Sequence, residues 1–187
     1  MLLLIVTTIV TAMGMSRERE TGTMEQVLVT PLRPWQLLVG KIAPFLVIGL
    51  LDVALVLVAG AYLFDVPMRG DLSLVGLATL LYLMSTLGVG LFISTVSNTQ
   101  QQSFLGGFLF ALPAILLSGV MTPIRAMPEW LQTLTLLNPV RYFVEAMRGV
   151  LLKGSTFSDL TPQFGALLAF GVVIFTASTL RFRRRLG

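Results

Sequence analysis

Residues 72–96 read LSLVGLATLLYLMSTLGVGLFISTV, a long apolar run without a single charged side chain. A helix of about 20 such residues crosses the 30 Å hydrocarbon core of a bilayer. Four more apolar stretches lie on either side of this run, separated by segments that contain polar, charged or proline residues. The predicted membrane segments are 1–15, which is short for a span, 35–64, 72–96, 103–120 and 162–180. The chain is therefore predicted to be all-α, a polytopic integral membrane protein whose residues 1–187 form a single transmembrane domain.

The composition supports a membrane protein and disfavours other classes. The chain is 55% hydrophobic and 12% charged, whereas a soluble domain carries roughly 25% charged residues. It contains no Cys and no His, which removes thiolate and imidazole catalysis and the usual zinc ligands. We therefore expect no catalytic residue, cofactor or metal site in this chain. The net charge of +4 comes from basic residues at the ends of apolar runs, which indicates membrane topology and no nucleic-acid partner.

The basic residues also predict the orientation, because cytoplasmic loops are enriched in Lys and Arg. Four arginines lie in the C-terminal tail after residue 180, and three more lie in segment 16–34. Placing both in the cytoplasm puts segment 121–161 outside. A short first span that starts outside favours a C-terminal part of a longer protein. A signal peptide is disfavoured, because residues 1–15 have no basic n-region.

Segment 16–34 predicts a short amphipathic helix at the inner membrane surface. Residues 17–20 read RERE, and Thr23 is able to cap a helix with Glu25 in its first turn. Pro31 ends this helix before the next span. Such an element can dock a soluble partner, whereas the alternative is a plain solvated loop.

Asp52 lies in the middle of the apolar stretch 35–64. An ionised carboxylate at that depth costs about 3 kcal/mol on insertion scales. It must therefore face a partner or a water-filled cavity, or be protonated. One interpretation is a substrate or ion pathway, and the other is a packing hydrogen bond to a neighbouring Ser, Thr or Gln.

Residues 121–161, which we call the paired-helix segment, predict two short helices. Pro123 breaks the chain, Met127-Pro128 precedes one helix start, and Asn138-Pro139 precedes a second. Broken helices of this kind enter a bilayer only where protein or water covers the freed backbone groups. The two interpretations are a gate over a pathway and a static interfacial cap.

Two stretches resemble a known family. Residues 17–45 (RERETGTMEQVLVTPLRPWQLLVGKIAPF) and residues 116–154 (LLSGVMTPIRAMPEWLQTLTLLNPVRYFVEAMRGVLLKG) are similar to the patterns before the third and the last membrane helix of ABC-2 type ABC transporter permeases, especially bacterial drug-efflux permeases. The resemblance implies a type V exporter-like bundle of six helices per complete subunit. It also implies a dimer, a homodimer or a paired permease, that works with two ATP-binding subunits holding ATP and Mg. Family members carry a further N-terminal helix and an extracytoplasmic domain that these residues do not include.

The resemblance also implies two sites. The cytoplasmic coupling helix, which contacts the ATPase, comprises Arg17, Glu18, Arg19, Glu20, Gly22, Thr23, Glu25, Gln26, Thr30 and Pro31. The extracytoplasmic re-entrant segment that closes the exit side comprises Ser118, Gly119, Pro123, Met127, Pro128, Asn138, Pro139, Tyr142 and Arg148.

The expected function is that of a permease subunit exporting a hydrophobic or amphiphilic compound from the bacterial cell, through the inner membrane, with its C-terminus in the cytoplasm. The sequence contains no G-x-x-x-x-G-K-[ST] loop, so ATP hydrolysis is expected in a separate subunit. The alternative is a non-transporting membrane scaffold, regulatory fragment or assembly factor. A secondary transporter is a third option, although Asp52 alone makes a poor proton relay.

Overall fold

The computed structural model describes residues 2–22, 34–67 and 69–186, and no β-strand occurs among them. The all-α prediction is thereby confirmed. The helices of these residues are α1 (2–20), α2 (Pro34–Phe64), α3 (Leu72–Val96), α4 (Gln100–Leu116), α5 (Glu129–Thr135), α6 (Pro139–Arg148) and α7 (Phe157–Leu186). π-Helical turns interrupt α1 at Val6–Val10 and extend α6 at Gly149–Lys153.

Three helical stretches of the described chain are long and apolar enough to cross a membrane: Ile42–Phe64, Leu72–Val96 and Phe157–Arg181. The 17 residues of α4 extend only about 25 Å at a rise of 1.5 Å per residue. Large apolar side chains such as Leu55 and Leu63 of α2 are exposed on the surface of the bundle. A surface of this kind is stable in lipid and unfavourable in water.

Polar caps explain why α4 and α7 begin before the apolar stretches expected from the sequence. At the start of α4, the Thr99 side chain accepts a hydrogen bond from the Gln102 backbone N–H at 3.2 Å. At the start of α7, Asp159 Oδ2 accepts the backbone N–H of Thr156 at 2.9 Å. Each cap satisfies a backbone N–H that the first turn leaves without a partner. Polar residues thus complete the first turns, and the apolar residues follow.

The first helix is longer than the predicted segment 1–15, since α1 continues to Glu20. Residues 17–20 therefore extend α1. Gly22 follows with φ 72°, the left-handed conformation with which helices commonly end. The amphipathic helix predicted from Thr23 onward lies outside the described residues.

α3 is the centre of the bundle and contacts α1, α2, α4, α6 and α7. Two of its glycines let neighbouring helices approach closely. A Cβ on Gly88 would lie 2.6 Å from Ile174 Cγ2 of α7, and a Cβ on Gly90 would lie 2.7 Å from the Thr8 carbonyl oxygen of α1. Small residues serve this purpose in membrane helices, where van der Waals packing drives association.

Buried hydroxyl groups add hydrogen bonds between the same helices. Thr7 Oγ1 of α1 donates to Thr86 Oγ1 of α3 at 3.1 Å. From α7, Ser178 Oγ donates to the Gly88 carbonyl oxygen at 3.0 Å. Each such bond contributes about 0.6 kcal/mol in a bilayer. Together with the glycine contacts, they hold α1 and α7 against α3.

The loop between α2 and α3 meets the paired-helix segment. The Arg69 backbone N–H donates to the Leu151 carbonyl oxygen at 3.3 Å. Asp71 caps α3 by accepting the Ser73 N–H at 2.9 Å, and this hydrogen bond holds the pKa of Asp71 below its usual value. The loop and the paired-helix segment therefore lie at the same end of the bundle.

Candidate functional site

A cleft of about 410 Å³ lies between α2, α6 and the start of α1. Asp52 and Gly60 of α2, Leu3 of α1, and Phe143 and Met147 of α6 are among its lining residues. Of the described residues that line the cleft, Asp52 alone carries a polar side chain. The cleft is an apolar cavity with one acidic group.

Asp52 is half-buried, and its carboxylate has no hydrogen-bond or ion-pair partner within residues 2–22, 34–67 and 69–186. The packing hydrogen bond to Ser, Thr or Gln, considered above, is thus not formed among these residues. The carboxylate lies at the wall of the cleft, and its role in a pathway stays a prediction.

Asn138 connects the paired-helix segment to the end of α4. Its Oδ1 accepts the backbone N–H of Val140 at 3.1 Å and thereby caps α6. Its Nδ2 donates to the carbonyl oxygen of Ala114 at 2.7 Å. Ala114 lies in the last turn of α4, where carbonyl groups have no helical partner. One side chain therefore starts one helix and completes another, while Pro139 takes the first position of α6.

Aromatic and polar contacts hold α6 against its neighbours. Phe143 stacks on Tyr82 of α3, with ring centroids 4.1 Å apart. The Tyr142 hydroxyl donates to the Leu136 carbonyl oxygen at 2.9 Å. Within α6 itself, Arg141 forms an ion pair with Glu145, with Nε and Oε1 3.0 Å apart, as their spacing predicts.

The remaining predicted gate residues lie in the turns between α4 and α5, except Arg148, which is the last residue of α6. Gly119 has φ 78° and follows Ser118, whose Oγ donates to the Ile115 carbonyl oxygen at 2.6 Å. Arg148 Nη1 lies 3.5 Å from the Gly119 carbonyl oxygen. Pro123 precedes the 3₁₀ turn Ile124–Ala126, Met127 is buried after it, and Pro128 occupies the position just before α5. The structure thus brings the predicted gate residues together at one end of α4.

The predicted coupling residues are described only in part. Arg17 and Glu20 are exposed at the end of α1, and Glu18 is half-buried there. Glu20 Oε2 accepts the backbone N–H of Gln100 at 3.2 Å, where a carboxylate also favours the positive end of the α4 dipole. Arg19 is helical. Thr23, Glu25, Gln26, Thr30 and Pro31 lie outside the described residues.

Sequence reasoning did not identify Phe143 and Met147 as neighbours of Asp52, or Tyr82 as the partner of Phe143. Phe143 lies on an amphipathic helix, and no local signal in the sequence indicates which cavity its side chain lines. The pairs are far apart in the chain, so only packing brings them together. These contacts define a class: a polytopic α-helical membrane protein with an anchored pair of short helices beside an acidic cleft.

Comparison with known proteins identifies the family. The family model of the ABC-2 type transporter matches residues 1–152. The chain is 39% identical over 177 residues to the probable multidrug ABC transporter permease YbhR of Escherichia coli (strain K12), covering 95% of this chain and 48% of that protein. It is 35% identical over 181 residues to the inner membrane transport permease YhhJ of the same strain, covering 96% and 48%. The linearmycin resistance permease protein LnrN of Bacillus subtilis (strain 168) is 25% identical over 165 residues, covering 88% and 43%.

The chain therefore belongs to the ABC-2 type transporter family, and the resemblance noted from the sequence is confirmed. It spans about half the length of the curated relatives it matches. No solved structure matches it.

Proposed function

We propose that this chain is the membrane part of a permease subunit of an ABC transporter that exports a hydrophobic or amphiphilic compound. Membership of the ABC-2 family carries the proposal. The cargo class is supported by relatives named as multidrug and linearmycin resistance permeases and by the apolar lining of the cleft. In this proposal a separate ATP-binding subunit holds ATP and Mg and hydrolyses the nucleotide, and this chain performs no catalysis.

The contacts at the two ends of α4 support a route for coupling. At one end, Glu20 bonds the first residue of α4, next to the expected ATPase contact. At the other end, Asn138 bonds the last turn of α4 and caps α6. A shift of the coupling helix would move α4, and α4 would carry the paired-helix segment with it. Pro113 lies near the second end of α4, where a proline permits bending.

The orientation and the assembly belong to the same proposal. The Glu20 end of the bundle and the C-terminal tail face the cytoplasm of a bacterial cell, and the subunit lies in the inner membrane. The paired-helix segment then lies at the exit side as a gate. A second permease, identical or paired, completes the transporter, with lipid covering the remaining apolar surface.

Charge reversal at the coupling end tests the proposal. The double variant Glu20→Lys/Glu25→Lys is co-expressed with an ATP-binding protein that co-purifies with the parent chain, and ATP hydrolysis is measured in nanodiscs. We expect hydrolysis to fall to the level of the ATP-binding protein alone, because two acidic contacts become basic. Glu129→Lys is the matched control, since Glu129 is exposed in α5 at the opposite end.

Unchanged stimulation of ATP hydrolysis in the double variant would contradict the proposed coupling site. Failure of the parent chain to co-purify with any ATP-binding protein would support the scaffold or assembly-factor alternative. Transport driven by an ion gradient without nucleotide, and blocked by Asp52→Asn, would instead indicate a secondary transporter.

A further inference from the structure

The cleft beside α2 contains an acidic group without a counter-charge. Asp52 lies near the middle of the apolar stretch Ile42–Phe64. None of the described lining residues is basic, and no described residue forms an ion pair with Asp52. A carboxylate at this depth is costly unless a positive charge or water accompanies it. A cation bound in the cleft would meet this requirement directly.

The rest of the lining favours an organic cation over a metal ion. Hard cations such as Ca²⁺ or Mg²⁺ require six or more oxygen ligands. Among the described residues, no group of three or more metal-binding side chains is present, and the cleft supplies a single carboxylate. Apolar walls do not replace the hydration shell of a metal ion, whereas they do accept the apolar groups of an organic cation.

Two side chains of α6 suit such a ligand. Phe143 lines the cleft, and the face of an aromatic ring attracts a cation that lies within about 6 Å of its centre. Met147 also lines it, and a flexible, polarisable methionine adapts to ligands of different shape. The cavity of about 410 Å³ falls within the range of clefts that hold small molecules.

We infer that this cleft is a binding site for a hydrophobic organic cation with a single positive charge, held by Asp52 and by the apolar wall that includes Phe143 and Met147. The inference rests on the proposed function for its statement that the bound cation is cargo. Since Phe143 stacks on Tyr82 and belongs to α6, bound cargo contacts the same helix that Asn138 caps. Occupancy of the cleft and the position of the paired-helix segment are thereby linked.

Direct binding tests the inference without nucleotide or an ATP-binding partner. The full chain in lipid nanodiscs is titrated with tetraphenylphosphonium, and with tetraphenylborate as an anion of the same shape, using empty nanodiscs as background. We expect saturable binding of the cation and none of the anion. In Asp52→Asn the Kd for the cation should rise about tenfold or more, because a close charge pair is lost. The amide removes a membrane-embedded charge, so insertion should not suffer.

Asp65→Asn is the matched control, with an unchanged Kd. Asp65 follows the same helix, is exposed, and lies outside the cleft lining. Its φ of 47° suits Asn as well as Asp, since both tolerate the left-handed region.

A second variant closes the cleft while Asp52 stays in place. A Cβ on Gly60 would meet only Val66 Cγ2, at 3.8 Å, so the ring in Gly60→Phe extends into the cavity. We expect this variant to lose tetraphenylphosphonium binding. Gly165→Phe on α7, where a Cβ meets nothing within 4 Å, should bind as the parent does.

Equal binding of the two probes to the parent, or unchanged cation binding in both Asp52→Asn and Gly60→Phe, would overturn the inference. The second result is also expected if a helix of another chain fills the cleft. Two measurements distinguish an error in the proposed binding site from an error in the proposed function. A parent chain that stimulates ATP hydrolysis but does not bind the cation refutes the site alone, and one that binds the cation without recruiting an ATPase refutes the transporter function.

Discussion

Helices α2 and α3 follow each other in the chain and are both long and apolar, yet they occupy opposite kinds of position. Within their most apolar stretches, 67% of the α3 residues are buried against 6% of those in α2. In lipid, apolar side chains gain little by leaving the bilayer for a helix interface. Hydropathy therefore identifies both helices as spans and does not predict which of them is central.

Small residues and residues with hydroxyl groups explain why α3 is buried and α2 is exposed. α3 carries Gly88, Gly90, Ser85 and Thr86 in contact with α1 or α7. The second half of α2, residues 50–64, is rich in Leu and Val, many of them exposed. α3 therefore acts as the packing centre, whereas α2 presents one wall of the acidic cleft and an apolar surface suited to lipid or to a second subunit.

A bulky residue on α3, the packing centre, should cause the largest loss in the free energy of unfolding. A Leu in the variant Gly90→Leu would meet the Thr8 backbone, and overpacking of this kind costs about 3 kcal/mol. The free energy of unfolding in a detergent titration, with the yield of monodisperse protein, measures the loss. Gly76→Leu is the control on the same helix, since a Cβ at Gly76 meets nothing within 4 Å. Equal effects of the two variants would break the link between close approach and the central position of α3.

Substitution of one tyrosine on each helix compares α3 with α2 directly. Tyr82 of α3 is 2% exposed, and Tyr62 of α2 is 83% exposed. Tyr82→Ala removes the ring that stacks on Phe143; a cavity of roughly 100 Å³ at about 24 cal/mol per Å³ costs about 2 kcal/mol. Tyr62→Ala should change the free energy of unfolding by less than about 0.5 kcal/mol. A large effect at Tyr62 would show that a partner covers α2.

Removal of a single interhelical hydrogen bond should cause the smallest loss in the free energy of unfolding. Ser178→Ala removes the bond to the Gly88 carbonyl oxygen, and we expect a loss of about 0.6 kcal/mol. Ser158→Ala is the control, because Ser158 is exposed at the start of the same helix. Unfolding titrations of both variants measure the difference, and an equal free energy of unfolding would assign the packing of α7 to its glycine and apolar contacts alone.

Much of the paired-helix segment was predictable because its signals are local. Met127-Pro128 and Asn138-Pro139 each precede a helix in the structure, since proline suits the start of a helix and asparagine caps it. The attachment of the paired-helix segment to α4 was not predictable. The bond from Asn138 to Ala114 depends on where the last turn of α4 lies in space. Its role as a gate remains a prediction, as does that of the coupling residues.

The sequence by itself determined the all-α membrane class, the family and the places where helices break, because hydropathy and proline act over a few neighbouring residues. Only the tertiary structure decided that α3 is central and that Asp52 lines the same cleft as Phe143 and Met147. These facts depend on close approach between helices far apart in the chain. In a bilayer, van der Waals fit and single hydrogen bonds direct that approach, and a one-dimensional pattern does not encode them.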